Sequence, residues 1–378
     1  MSFEIVTDAN LLAGIVESCR SKPAVAIDTE FARFNTYYPV VGLVQIYDGD
    51  RCYLIDPLEI NDLSPLAELL ADENVVKVLH ACSEDVEVFC DALDVVPTPI
   101  YDTQIAAAML GAGFSISYQN LVNHYLEIQI PKDETRSDWL QRPLTHAQLD
   151  YAALDVTHLL EVYQLQVEKL AELGRDDWVA EECASLAQDI PTQIDPNDYY
   201  LKVKNLWRLK PLQLHTLKLL CAWRERTARD KNLPRNRVID EKALFQIAAM
   251  DLEDKKAFRE KAGVTSKQLR FHGDELVEHL KTWRSVPADE LPSPVKKVNS
   301  PVSNTKLRAL KKLVEDCASE LDVAPEMLAK RRHLEQLIRS EADTGKYELP
   351  KALSGWRETV IGDVLLREVN GLKKVSAQ

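Results

Sequence analysis

The stretch Ala24-Val25-Ala26-Ile27-Asp28-Thr29-Glu30-Phe31 decides how this chain is read. Its apolar start, with β-branched Val25 and Ile27, predicts a strand that runs into two carboxylates. Side chains alternate along a strand, so Asp28 and Glu30 share one face. Beside a core that pairing is costly, because like charges repel and both resist desolvation. No Lys or Arg lies between Lys22 and Arg33 to neutralise them. Two readings follow: a solvated strand end, or a site for a divalent cation.

Working outward, strands are expected at Phe3–Val6, Ala24–Asp28, Gly42–Tyr47, Cys52–Ile55 and Val75–Leu79. Helices are expected after Asp8, Ser64-Pro65 and Ser83, each a cap or first-turn signal. Short turns such as Asp48-Gly49-Asp50 make part of the sheet antiparallel. The class is α/β with a mixed sheet. Thr145-His146-Ala147-Gln148 fits a capping box, opening a helix expected to run to Leu173 before Gly174.

Pro191 and Pro196 mark a polar linker over Ile190–Asp198, and the pattern beyond is helical only. Residues 205–285 and 304–372 form two helical blocks, separated by a linker holding Pro287, Pro292, Pro294 and Pro301. The domains are thus 1–190, 205–285 and 304–372. The two blocks read as a duplication at an offset of 90. Leu217, Leu220, Trp223, Val238, Leu244 and Ile247 meet Leu307, Leu310, Leu313, Leu328, Leu334 and Leu337 in one register.

The net charge of −14 conceals a division. Residues 1–200 carry 10 Lys and Arg against 35 Asp and Glu, a balance of −25; residues 201–378 carry 36 against 25, or +11. An acidic half suits metal and a basic half suits a polyanion, unless both are simply solvated surfaces. The seven cysteines are scattered without a Cys-x-x-Cys pair, which argues for free thiols in a cytoplasmic protein and against zinc. No apolar run approaches a membrane span, the start of the chain lacks a signal-peptide pattern, and nothing demands more than a monomer.

Two further acidic sites join the first. His80-Ala81-Cys82-Ser83-Glu84-Asp85 lies where a strand enters a helix, with Asp85 in the first turn. An acid complementing the helix dipole would look the same. Tyr151 and Asp155 are four apart and share a helix face. Singly, each has an ordinary explanation; the order Asp-x-Glu, Asp, Tyr-x-x-x-Asp is far more specific. With Thr36-Tyr37-Tyr38-Pro39 and Gln45, the first stretch resembles the first exonuclease motif of the DEDD superfamily. The stretch from His80 to Asp85 resembles the second motif, and Tyr151 to Asp155 the third, in its tyrosine subclass. Ser137-Asp138-Trp139 and Arg142-Pro143-Leu144 are similar to the ribonuclease D family. Residues 205–285, with Leu233-Pro234, resemble the helicase-and-RNase-D C-terminal (HRDC) module, and 304–372, with Val323-Ala324 instead, a divergent second copy.

The resemblance implies a ribonuclease H-like mixed sheet with flanking helices, followed by two all-α domains. It implies a 3′→5′ exoribonuclease that trims tRNA precursor ends and releases 5′-mononucleotides. Two Mg²⁺ or Mn²⁺ ions would be held by Asp28, Glu30, Asp85 and Asp155, with Tyr151 orienting the attacking water. Phe31, Phe34, Tyr37 and Tyr38 near the first motif could stack on terminal bases; Phe31 suits the core better, and Tyr37 and Tyr38 fit either place. Arg224, Arg226, Arg229, Lys231, Arg235 and Arg237 form a basic group that fits RNA or a solvated face. A nuclease for single-stranded DNA and a non-catalytic nucleic-acid-binding protein are the alternatives. The second would need a broken carboxylate set, and none of the five motif residues is missing. A glycosidase pair fits this motif order poorly. The lack of a Gly-x-x-x-x-Gly-Lys-Ser/Thr loop argues against a helicase.

Overall fold

The computed structural model describes residues 3–131, 137–186, 190, 194–295 and 303–376. They form two compact units, one drawing on 1–32, 41–190 and 300–378, the other on 33–40 and 191–299. Residues 191–193 of the first linker and Pro301 of the second lie outside the described residues.

The first unit contains β1 (Phe3–Val6), β2 (Ala24–Ala32), β3 (Val40–Tyr47), β4 (Cys52–Ile55), β5 (Val76–Leu79) and β6 (Ile100–Asp102). They make one sheet in the order β1-β4-β3-β2-β5-β6. β1 pairs parallel with β4, β3 antiparallel with β4, and β5 parallel with both β2 and β6. The five expected strands are present, and β2 extends past Asp28 to Ala32. β6 has only three residues and follows Pro97 and Pro99, so no alternation marks it in the sequence.

The helices of this part are α1 (Ala9–Arg20), α2 (Ser64–Ala71), α3 (Ser83–Leu93), α4 (Thr103–Met109), α5 (Tyr118–Leu126), α6 (His146–Thr157), α7 (Leu159–Leu173) and α8 (Asp176–Leu186). Asp8 caps α1 by accepting from the N–H groups of Asn10 and Leu11, both at 3.0 Å. Alternation in β2 separates two cores. Val25 and Ile27 face one side with residues of α1, α2 and α3, while Ala24 and Ala26 face the other with residues of α6. Continuing that alternation turns Asp28 and Glu30 toward α6.

The capping box at Thr145 and Gln148 is formed. The expected single helix beyond it is instead two, α6 and α7, broken at His158. The cause is an inserted side chain. The Tyr118 hydroxyl donates to the Leu154 carbonyl at 2.7 Å, the acceptor that a continuous helix would offer the His158 N–H, and that N–H turns instead to the Val156 carbonyl. Thr157 also donates back to the Ala153 carbonyl, which bends helices further.

The second unit holds α9 (Pro211–Asp230), α10 (Arg235–Val238), α11 (Glu241–Ala249), α12 (Lys255–Ala262) and α13 (Ser266–Trp283) around an apolar core that includes Leu217, Leu220, Trp223 and Leu244. The other helical block supplies α14 (Asn304–Leu321), α15 (Pro325–Leu328), α16 (Arg331–Thr344) and α17 (Asp363–Ser376) to the first unit. There it packs on the α/β part. The Ala324 N–H donates to the Ala108 carbonyl at 3.0 Å, and Trp356 stacks on Trp178 at 4.7 Å.

The offset of 90 is visible in the backbone. Leu233 N–H donates to Ala228 O at 2.9 Å, and Val323 N–H to Ala318 O at 3.0 Å. Ile239 and Ala329 both have φ −157°. Asn232 and Asp322, which end the first helix of each block, are left-handed at φ 46° and 49°. Among the described residues no helix is long and apolar enough to cross a membrane. None of the seven cysteines forms a disulfide, and six of them are buried.

Candidate active site

Asp28 and Glu30 project from β2 toward the face that α6 covers, and α6 brings Tyr151 and Asp155. One oxygen from each of Asp28, Glu30 and Asp155 lies within 4.8 Å of the others. Thr29 has the opposite parity and is buried. Its hydroxyl donates to Asp85, which sits in the first turn of α3. The four carboxylates are therefore gathered, three in one cluster and Asp85 beside it through Thr29.

The charges acting on Asp28 are Asp85, Asp155 and Glu30, all of one sign. Burial first, and these neighbours next, hold its carboxyl well above the usual range. Burial and then Asp155 and Asp85 push Glu30 up to about 8. Burial lifts Asp155 to about 7, opposed by the hydrogen bond from Tyr151. Asp85 rises to about 6, burial outweighing the Thr29 hydroxyl. Tyr151 is itself raised, by burial and then Asp155 and Glu30, so its hydroxyl keeps its proton and donates to Asp155. A donor set of oxygens alone, every carboxyl raised by burial and those of Asp28 and Glu30 raised further by the acids beside them, fits a hard divalent cation such as Mg²⁺ or Mn²⁺.

The wall beside Tyr151 is fixed by Arg142. Its guanidinium spans both oxygens of Asp56, at 2.5 and 2.6 Å, and donates to the Gly42 carbonyl at 2.6 Å. A Cβ on Gly42 would meet the Trp139 carbonyl at 2.5 Å, so only glycine permits this approach. Buried Trp139 lies with its ring 6.2 Å from that of Tyr151.

The residues expected to touch nucleic acid belong to the second unit and divide sharply. Phe34 is 79% exposed, and Arg226, Lys231 and Arg237 are exposed. Tyr37 is buried, which corrects its reading as a stacking platform. Its hydroxyl donates to Glu225 and accepts from Arg235 at 2.8 Å and Arg229 at 3.1 Å. Arg235 also binds Glu225 through Nε at 2.8 Å and Nη2 at 2.6 Å. Arg224 is 2% exposed, over the Tyr199 ring, so it is a core residue and not part of a basic surface. Half-buried Tyr38 packs edge-on against Tyr37. The physical reason is Glu225, a fully buried carboxylate that gathers cations from its own helix and from α10. A count of basic residues cannot see it.

Sequence reasoning passed over Thr29, Tyr118 and Asp102. Thr29 was visible as a hydroxyl between two acids. Tyr118 and Asp102 carry no local signal, because each acts on a segment distant in the chain.

Sheet, acidic cluster and helical modules together define a 3′→5′ exonuclease. Residues 3–170 match the family described as 3′-5′ exonuclease, 213–280 the HRDC domain, and 301–365 the C-terminal HRDC domain of ribonuclease D. The chain belongs to the ribonuclease D family and is a metal-dependent 3′→5′ exoribonuclease. It is 43% identical to ribonuclease D of Pseudomonas paraeruginosa, over 94% of this chain and 95% of the relative. It is 35% identical to that of Escherichia coli K12, over 97% and 98%. The crystal structure of Escherichia coli RNase D, described as an exoribonuclease involved in structured RNA processing, matches with a TM-score of 0.91 at 34% identity, over 98% of this chain and 99% of that one. The catalytic core of RRP6 from Trypanosoma brucei shares the fold, with a TM-score of 0.58 at 22% identity.

Proposed function

We propose that this exoribonuclease trims the 3′ ends of structured RNA, tRNA precursors foremost, by hydrolysis at a two-ion site. The observation that carries the reading is the convergence of Asp28, Glu30 and Asp155 within 4.8 Å, with Asp85 alongside. Asp28, Glu30 and Asp155 would hold one cation, and Asp28 with Asp85 a second. Divalent cations bound there supply positive charge to the phosphate oxygens and make water more acidic. Tyr151, kept protonated and fixed to Asp155, orients the attacking water through its hydroxyl oxygen and does not remove the proton. Arg142 and Trp139 hold that tyrosine's wall in place. The catalytic part is 1–190, and the modules at 205–285 and 304–372 bind RNA.

The test is one assay on a 3′-extended tRNA, a single-stranded RNA and a single-stranded DNA, each with Mg²⁺, Mn²⁺ or EDTA. Fastest trimming of the tRNA with either metal, and none in EDTA, is expected. Faster attack on DNA would assign the site to a deoxyribonuclease. Hydrolysis in EDTA would remove the metal from the mechanism.

A further inference from the structure

The turn that carries the second motif into α3 does not hold itself. Ala81 lies in the left-handed region at φ 55°, a conformation that disfavours a residue with a Cβ. Cys82, at the cap of α3, makes no side-chain capping bond. The missing bonds come from Asp102 at the end of β6.

This carboxylate is 3% exposed and accepts from four backbone N–H groups. Oδ1 takes Ala81 at 3.1 Å, Gln104 at 2.8 Å and Ile105 at 3.3 Å, and Oδ2 takes Cys82 at 3.0 Å. One side chain thus caps α4 and pins the turn before α3. The adjoining Thr103 reinforces it: its hydroxyl lies 2.9 Å from His80 Nδ1 and 3.0 Å from the Leu79 carbonyl. The other ring nitrogen of His80 is 3.1 Å from the Ile116 carbonyl.

Asp85 stands three residues beyond Cys82, in the first turn whose start Asp102 fixes. From there it receives the hydroxyl of Thr29, which lies between Asp28 and Glu30. We propose that Asp102 is a positioning residue for Asp85, setting the geometry in which Asp85 meets a divalent cation. The inference rests on the metal-site reading above. Asp102 touches neither substrate nor cation; it acts through the backbone of residues 81 and 82.

Asp102→Asn keeps one oxygen and replaces the other with an NH₂ group, which faces an N–H it cannot accept from. Outer-shell changes of this kind lower metal affinity or activity by about 10–100-fold. The full-length protein should show that loss in Mn²⁺ affinity by calorimetry and a matching fall in kcat with KM for RNA unchanged. Asp8→Asn weakens a different helix cap and should leave Mn²⁺ affinity as it was. In the unsubstituted protein Mn²⁺ should slow exchange of the Gln104 and Ile105 amides, which Asp102 holds on a helix other than that of Asp85, since the coupling is reciprocal. That measurement decides the matter even if Asp102→Asn fails to fold. Absence of Mn²⁺ binding in the unsubstituted protein would defeat the metal-site reading itself. Binding that is equal in Asp102→Asn and unsubstituted protein, or exchange at Gln104 and Ile105 indifferent to Mn²⁺, would overturn the positioning role alone.

Discussion

Thr29 donates its hydroxyl to Asp85, 56 residues further on, so the strand bearing Asp28 and Glu30 is joined to the helix bearing Asp85 at the point between the two acids. The bond is buried and its acceptor is a carboxylate, which places it among the stronger hydrogen bonds. Thr29→Val keeps the shape and removes the donor. It should lower kcat by about 10-fold or more, and stability by about 1–3 kcal/mol where Asp85 is ionised. Equal kcat in the two proteins would mean that Asp85 finds its place without Thr29.

The carboxylates oppose folding where no cation neutralises them. Glu30 titrates near 8 and Asp155 near 7, both above the range of an unfolded chain. The folded state therefore holds more protons in between, and stability falls as pH rises. The favourable contribution is complete below about pH 4 and lost as pH passes through 7 and 8. Asp28→Asn and Asp155→Asn should each abolish hydrolysis. Without metal, both should melt no lower than the unsubstituted protein at pH 8, with a flatter dependence of Tm on pH. Near-normal turnover in either variant would refute the assignment.

This cluster was legible because its determinants are local. Alternation in β2 and the four-residue spacing of Tyr151 and Asp155 fix which side chains share a face, and composition marks them as acids. Long-range substitutions for local structure were not legible. Tyr118 breaks α6 from α7 across 36 residues, and Asp102 props the second motif across 20. The basic group failed for the same reason. Glu225 lies beside Arg224 in the chain, but an acid next to an Arg looks like any solvated pair; the Tyr37 hydroxyl that helps to bury it comes from 188 residues away. The helical repeat was read correctly because an apolar face must recur in register to build the same core twice.

Tyr151→Phe retains the ring against Trp139 and deletes only the hydroxyl. On the proposed role of that hydroxyl in orienting the attacking water, kcat should fall by about 10² or more. RNA Kd should change little, because ground-state binding is untouched. With its donor gone, Asp155 should also titrate higher than about 7 in the metal-free protein. Unchanged kcat would return Tyr151 to a packing role.

In the second unit, stability and RNA affinity should separate by residue. Tyr37→Phe removes a hydroxyl that donates to buried Glu225, at about 1–3 kcal/mol. Burial works to raise Glu225, but Arg235, Tyr37 and Arg224 outweigh it and hold the carboxylate below its usual range. The stability it contributes is thus present above the unfolded pKa and lost on acidification. Tyr37→Phe should lower Tm at neutral pH while leaving the salt dependence of RNA binding unchanged. Replacing exposed Arg226, Lys231 and Arg237 with Gln should do the reverse. If each meets one phosphate of a single strand, the slope of log K against log salt should drop by about 2. An unaltered slope would free these three residues from any role in gripping RNA.

The two helical modules should respond differently to deletion, because they belong to different compact units. The core of the first unit mixes Met109, Leu170, Val179 and Cys183 of the exonuclease part with Leu310, Leu328, Trp356 and Ile361 of the second module. Arg357 donates to Glu182 Oε2 at 2.7 Å and to the Met327 carbonyl at 2.6 Å, and the Trp356 indole donates to Glu182 Oε1 at 2.9 Å. Removing residues 300–378 strips that cover from α4 and α8. Since α4 begins at the Asp102-Thr103 junction, catalysis should suffer together with stability. Single-turnover hydrolysis at saturating RNA should fall, and Tm with it. Glu182→Gln is the gentler probe. It leaves Arg357 largely buried without its counter-charge, a cost of about 3–5 kcal/mol for a fully buried pair and less at this partial exposure. Denaturant unfolding of the full chain would read it directly. A truncated protein that keeps both Tm and single-turnover rate would show the second module to be an appendage, with no part in holding the catalytic domain.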